Sequence, residues 1–201
     1  MVNQRSFPEF EVSHLEDNVL GVKGLVYLPN LLTFREQHHA LDAIDARPWR
    51  DDLKRRVQHY GYKYDYKGRA VDQSMYVGAL PEFAMEIGRH LLSRGLVEEL
   101  PDQLIVNEYQ PGQGISAHVD CEPCFKDTIV TVSLGSTYEM DFINLESGQV
   151  RSKMLDVGSA LVLKEEARYA WMHRIKARKS DHGVPRGRRV SLTYRNVILA
   201  P

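Results

Sequence analysis

Two helical stripes come first along the chain. Thr33-Phe34-Arg35-Glu36 has capping-box spacing, and Phe34, Leu41 and Ile44 then recur near helical spacing, which predicts a helix over about Thr33 to Asp45. A second helix is expected between Pro81 and Gly95, with Phe83, Ile87 and Leu91 four apart on one face. Beyond residue 100 the pattern turns to short β-branched runs: Gln103 to Tyr109, Thr128 to Leu134, Met140 to Leu145, Ala160 to Leu163, Trp171 to Ile175 and Arg189 to Ile198. Turn residues separate them, at Pro111-Gly112-Gln113-Gly114, Gly135-Ser136, Ser147-Gly148 and Gly158. With no helical segment expected between these strands, a βαβ sheet is excluded. Helices followed by strands give an α+β chain with a sandwich or jelly roll as its second half.

Composition narrows the class without naming a chemistry. The 201 residues suit one domain, and 43% apolar against 26% charged residues is the balance of a globular chain with a real core. No run approaches the roughly 18 to 20 apolar residues of a membrane span, so a soluble protein with no membrane partner is expected. The first thirty residues lack the basic start and apolar run of a signal peptide, and the two cysteines, Cys121 and Cys124, are too few for a disulfide scaffold. A cytoplasmic monomer is the simplest expectation. Two thiols without a second ligand pair also leave a zinc site incomplete.

A net charge of −1 announces no polyanion, but the charge is unevenly spread. Arg168, Arg174, Lys176, Arg178, Lys179, Arg186, Arg188, Arg189 and Arg195 crowd one segment whose only acid is Asp181. Lys54-Arg55-Arg56 leads into Tyr60, Tyr62, Tyr64 and Tyr66, which share a face if that stretch is a strand. Tyrosine favours sheets in any case. An aromatic face flanked by cations also suits base stacking beside phosphate neutralisation.

The chemical signal starts at His118-Val119-Asp120, after a predicted strand and a glycine-rich turn. On an extended segment residues i and i+2 share a face, so an imidazole and a carboxylate can reach one ion there, two corners of a 2-His-1-carboxylate site for Fe(II). His173, inside a strand, is the preferred third ligand over His182, which falls in the polar loop 179–187 where backbone placement is poorer. Arg189 and Arg195 are six apart on one strand, about 20 Å at strand rise, so their planar forks can converge on an elongated dianion from either end. Asn107 and Tyr109 alternate on the strand before the turn and can add hydrogen bonds to the same ligand.

In this order, Asn107-x-Tyr109, Pro111-Gly112-x-Gly114-Ile115, His118-x-Asp120, His173 and Arg189-x5-Arg195, the chain strongly resembles the AlkB family of Fe(II)/2-oxoglutarate dioxygenases over about residues 52 to 198. Arg55 to Tyr62 and Ser133 to Ser136 make it most similar to the branch holding the domain that hydroxylates tRNA wobble uridine, although 201 residues leave no room for the other modules of that enzyme. The resemblance implies a double-stranded β-helix over 101–201, preceded over 1–100 by helices and a nucleotide-recognition lid. It implies iron on His118, Asp120 and His173, with 2-oxoglutarate on Asn107, Tyr109, Arg189 and Arg195 and O2 as second co-substrate.

The leading functional reading is oxidative dealkylation of alkylated nucleobases in DNA or RNA, the alkyl group leaving as an aldehyde. Hydroxylation of a tRNA base side chain, or oxidation of a protein or small molecule, is the alternative, and a non-catalytic jelly-roll binding module is the third. A base undergoing chemistry must be single-stranded or flipped out and clamped. Tyr62, Tyr64, Tyr76 and Trp171 are the expected clamp residues. Glu122, two beyond Asp120, is expected to point into the same cavity and read a cationic base if the segment stays extended.

Overall fold

Why the central strands read as nearly continuous apolar runs is visible in how they are covered. The computed structural model describes residues 14–51, 54–65 and 68–199. Its strands are β1 (Leu25–Leu28), β2 (Val57–Tyr62), β3 (Tyr76–Gly78), β4 (Gln103–Tyr109), β5 (Ile115–His118), β6 (Ile129–Leu134) and β7 (Tyr138–Asn144). They continue with β8 (Val150–Leu155), β9 (Ala160–Leu163), β10 (Trp171–Ile175), β11 (Ser180–Asp181), β12 (Val184–Pro185) and β13 (Arg189–Arg195). Three α-helices join them, α1 (Phe34–Asp45), α2 (Glu82–Ser93) and α3 (Glu165–Tyr169).

The strands form a seven-stranded antiparallel sheet in the order β1-β9-β6-β13-β4-β2-β3 and a four-stranded one in the order β5-β10-β7-β8. The large sheet is buried on both sides, so both sets of alternating residues are inside. One face carries Val26, Leu28, Leu104, Val106, Val130, Val132, Leu192 and Tyr194 against α1 and α2, where Ala40, Ile44, Phe83, Ile87 and Leu91 complete the first core. The opposite face contributes Leu25, Tyr27, Tyr109, Ile129 and Leu161 to a second core, shared with Tyr138, Met140, Phe142, Trp171 and Ile175 of the small sheet. Site residues therefore alternate with the residues that hold the helices on.

Local sequence explains the boundaries. The α1 capping box is formed, Thr33 accepting from the Glu36 backbone while the Glu36 carboxylate accepts from the Thr33 N–H at 2.7 Å. Phe34, expected on the buried face, lies at the cap and is exposed. The tyrosine alternation stops at Gly61, which takes φ +75°, lies where a Cβ would meet the Asp102 carbonyl at 1.8 Å, and precedes a register shift against β3. Tyr60 consequently packs edge-on against Phe83 in the first core and Tyr64 against Phe125 in the second, while Tyr66 falls outside the described residues. The expected shared face is not made. The short α3 is a further departure, a helical turn between β9 and β10 that the polar run Lys164-Glu165-Glu166 concealed. No helix of the described residues is long and apolar enough to cross a membrane.

Candidate active site

The small sheet places two imidazoles side by side. His118 ends β5 and His173 lies in the middle of β10, and the two are direct cross-strand partners, with ring centroids 4.3 Å apart. Gly114 lets the preceding turn close onto β10, since a Cβ there would lie 2.2 Å from the Ile175 carbonyl oxygen. Asp120 follows on the loop beyond β5 and brings Oδ2 to 3.7 Å from His173 Nε2. One ligand atom from each of the three lies within 4.8 Å of the others. The ring Nδ1 of His118 is 2.8 Å from the Ser116 carbonyl, so it donates there and leaves Nε2 for a metal.

Electrostatics prepares each group for that role. Burial, with His118 alongside, pushes His173 down to about 3, so its imidazole is neutral and available as a ligand at pH 7. Burial alone would raise Asp120, but Arg195 and the two histidines together hold its carboxyl far below the ordinary range. Arg195 Nη2 donates to Asp120 Oδ1 at 2.5 Å, leaving Oδ2 on the histidine side. From α3, the buried Arg168 donates to the carbonyls of Asp120 and Cys121 at 3.0 and 3.2 Å and thereby fixes the backbone of the ligand loop. Replacing Arg168 by Lys keeps the charge but reaches one carbonyl instead of two. An anaerobic titration is expected to show iron affinity reduced by about tenfold, the usual scale for a group that orients a metal ligand.

The histidine sign can also be measured in the metal-free protein. Between about pH 6.5, where the unfolded imidazole titrates, and about 3, the unfolded chain holds a proton that native His173 refuses, so stability falls as the pH falls. Urea unfolding at pH 6 and pH 4 is expected to show a decline that His173→Gln makes shallower by about 1 kcal/mol per pH unit.

Next to the three ligands lies a cavity of about 510 Å³ whose wall comes from the inner face of the large sheet. Arg189, Ser191, Thr193 and Arg195 of β13 line it beside Ile105, Asn107 and Tyr109 of β4. Arg189 is completely buried, and no carboxylate among the described residues balances it. Its Nη2 donates to Ser133 Oγ at 2.9 Å, while Nε and Nη1 have no hydrogen-bond partner among the described residues. Burial pushes it down to about 10, still charged at pH 7. Two orphaned donors on a buried guanidinium, with Tyr109 in the same wall, fit an anionic ligand held by a planar fork. Arg195 Nε is orphaned as well.

The remaining expectations fare differently. Asn107 Oδ1 is engaged by Arg55 Nε at 2.8 Å, so Arg55, given no site role from the sequence, belongs to the cavity wall with Lys54 and Arg69. Tyr64 lines the cavity, whereas Tyr62 and the exposed Tyr76 pack on each other outside it, ring centroids 5.2 Å apart. Trp171 is 5% exposed within the second core, stacked under Arg151, and offers no face to a base. Glu122 also lies outside the cavity lining, because the segment turns into a 3-10 turn over Glu122–Cys124 instead of staying extended and period two no longer applies. His182 is paired with Glu139 on the surface. Thr131, Ser191 and Thr193 also line the cavity and were not singled out from the sequence; the alternation on Ile129–Leu134 and Arg189–Arg195, Ser and Thr between Val and Leu, is the signal that could have found them.

The basic segment is largely neutralised. Arg174 and Lys176 pair with Asp141, Arg178 with Glu139 and Asp181, Arg186 with Asp181, and Arg188 with Asp45 and Glu108. Most of these acids are distant in sequence, so a linear count overstates the positive field. Along this third of the chain, ion pairs take up most of the cations that a linear reading leaves free for phosphate.

A His-x-Asp…His cluster around a buried carboxylate, beside an arginine with free donors, is the donor set of an Fe(II) oxygenase that uses a keto-diacid. A family model of the 2OG-Fe(II) oxygenase superfamily matches residues 52–195, and the chain belongs to that superfamily. Within it the protein is AlkB-like. It is 38% identical over 163 residues to the Xenopus tropicalis tRNA (carboxymethyluridine(34)-5-O)-methyltransferase alkbh8, an alignment covering 79% of this chain and 26% of that protein. It is 35% identical to the Arabidopsis thaliana alkylated DNA repair protein ALKBH8 homolog, covering 91% of this chain and 61% of that one. The chain thus spans about a quarter of the first relative's length and under two thirds of the second's. The solved structure of OsALKBH1 has the same fold, with a TM-score of 0.65 at 18% identity over 86% of this chain and 96% of that one. The enzyme is an Fe(II)- and 2-oxoglutarate-dependent dioxygenase, with His118, Asp120 and His173 as its facial triad.

Proposed function

We propose that the chain oxygenates an alkyl substituent on a nucleobase presented single-stranded or flipped out, and that its substrate is a tRNA base with a neutral or anionic side chain, which it hydroxylates. The charge of the cavity carries this reading. Lys54, Arg55, Arg69, Arg189 and Arg195 line it, and the one carboxylate among its described lining residues, Asp120, is committed to Arg195 and the histidines. A cationic N-alkylated base entering there meets like charge and, among the described residues, no uncommitted acceptor carboxylate, since Glu122 is elsewhere. Dealkylation of such lesions is therefore the second reading. The names of the Xenopus and Arabidopsis relatives, one a tRNA wobble-uridine enzyme and one a DNA repair protein, support nucleic acid as the substrate class.

In this reading Tyr64, with Lys54, Arg55 and Arg69 beside it on the cavity wall, forms the lid over a double-stranded β-helix. Arg189, Asn107 and Tyr109 orient the co-substrate, and Arg195 sets which oxygen of Asp120 faces the metal. When bound, iron with O2 and 2-oxoglutarate supplies the oxidising power that inserts one oxygen atom into a substrate C–H bond. The test is incubation of iron-loaded protein and 2-oxoglutarate with tRNA bearing 5-substituted wobble uridines and with N1-methyladenine, N3-methylcytosine and etheno-modified DNA and RNA, followed by nucleoside mass spectrometry. Gain of one oxygen atom on the uridine side chain is expected. Loss of methyl groups from the cationic bases, with the uridines untouched, overturns the assignment.

A further inference from the structure

Two neighbouring arginines ahead of β2 go to opposite sides of the large sheet. Val57 pairs with Asn107 where β2 meets β4, and the Glu108 N–H reaches the Arg56 carbonyl at 3.0 Å, so the chain runs on beside β4 as an extended strand. Alternation then sorts the side chains. Arg56 grips the Glu108 carboxylate through two bonds of 2.7 Å and lies over Trp49, which packs on the first core. Arg55 faces the other way, onto the cavity wall with Asn107.

The Arg55–Asn107 contact fixes a direction. A guanidinium has five N–H donors and no acceptor, so the amide atom that Arg55 Nε meets at 2.8 Å is the oxygen. Of the two flips open to an Asn side chain, only the one with Oδ1 towards Arg55 satisfies that bond. Nδ2 is thereby turned away from Arg55, and it has no hydrogen-bond partner among the described residues. Asn107 is nearly buried in the cavity wall, opposite Ser191 in the pairing that also sets Tyr109 opposite Arg189. The guanidinium carbon of Arg55 lies 5.6 Å from the centre of the Tyr109 ring, as does that of Arg189. We infer that Arg55 is a positioning residue for 2-oxoglutarate, holding the Asn107 amide in the flip that offers the co-substrate N–H donors. In the opposite flip an acceptor oxygen would face a dianion. The inference rests on the reading in which Asn107, Tyr109 and Arg189 orient the co-substrate. It engages one N–H of Arg55 and leaves the terminal nitrogens to a substrate phosphate.

The test titrates 2-oxoglutarate calorimetrically into the iron-loaded full chain under argon, with no nucleic acid present. Arg55 is only partly buried, so its replacement leaves the fold in place, which thermal unfolding checks. Arg55→Met is expected to raise the 2-oxoglutarate Kd about tenfold, the scale of one hydrogen bond to a charged group. Arg55→Gln sets an amide nitrogen at the position of Nε, keeping the donor without the charge. It is expected within about threefold of wild type, the remainder being the lost contact of cation and Tyr109 ring. Iron affinity, titrated separately, is expected to be the same in all of these proteins. Asn107→Ala raises the Kd about as much as Arg55→Met, and the double variant Arg55→Met/Asn107→Ala raises it no further, because Arg55 acts through Asn107. Losses that add in the double variant, or Arg55→Gln no better than Arg55→Met, would mean that Arg55 meets the co-substrate by its own charge and overturn the inference. An unchanged Kd in Arg55→Met beside a raised one in Asn107→Ala overturns the inference alone. An unchanged Kd in Asn107→Ala overturns the co-substrate reading beneath it as well.

Discussion

Asp120→Ala is expected to abolish iron-dependent conversion of 2-oxoglutarate to succinate, because it removes one of three ligands and the anchor of Arg195 at once. Stability suffers too. Arg195 is left nearly buried without its carboxylate, a loss on the order of 3–5 kcal/mol for a broken buried pair. Asp120→Asn separates the two effects, since its amide oxygen still accepts from Arg195 while the charge that draws iron is gone. Thermal unfolding of the metal-free variant is expected near wild type, with anaerobic iron titration showing the loss. Wild-type turnover in either variant would remove Asp120 from the metal site, and His182→Ala, on the surface pair with Glu139, is expected to turn over normally.

The second large effect belongs to Arg189. If its orphaned Nε and Nη1 meet a carboxylate of the co-substrate, Arg189→Met removes a buried charged contact of about 2–5 kcal/mol, raising the 2-oxoglutarate requirement roughly 30-fold or more. Arg189→Lys falls between, keeping charge without the fork. The informative contrast is stability. A buried cation without an anionic partner destabilises the metal-free fold, so Arg189→Met is expected to melt at the same temperature or higher. A variant that melts lower, with an unchanged 2-oxoglutarate requirement, would mark Arg189 as structural.

The first two α-helices and six of the thirteen strands were legible because their periodicity reports burial directly. Phe83, Ile87 and Leu91 are all inside, and the runs at 103–109, 160–163 and 171–175 match the strands residue for residue. The iron ligands were legible for a related reason, since period two and pairing of β5 with β10 fix where His118 and His173 point. Other features are tertiary and leave no local trace. Trp171 shares its strand with His173, yet whether a strand position meets a cavity or a core depends on how far along the small sheet it sits. Glu122 depended on an extended backbone that Pro123 and the turn deny. Arg168 looked like one more surface cation, and nothing local says that it ends inside, on the Asp120 carbonyl.

The pairing of the basic segment has a consequence for how the enzyme meets a polyanion. A cation already matched to Asp141, Glu139, Asp181, Asp45 or Glu108 holds few counterions to give up, so it contributes little when a strand docks. Of the basic side chains, those available at the cavity are chiefly Lys54, Arg55 and Arg69. Three neutralised phosphates correspond to a slope of about −2 in log affinity against log salt for single-stranded nucleic acid, where the nine cations of the linear segment would suggest about −6. If its substrate is the nucleic-acid base proposed above, the enzyme keeps its grip on it at physiological ionic strength and selects by what enters the cavity more than by the charge of the strand that carries it.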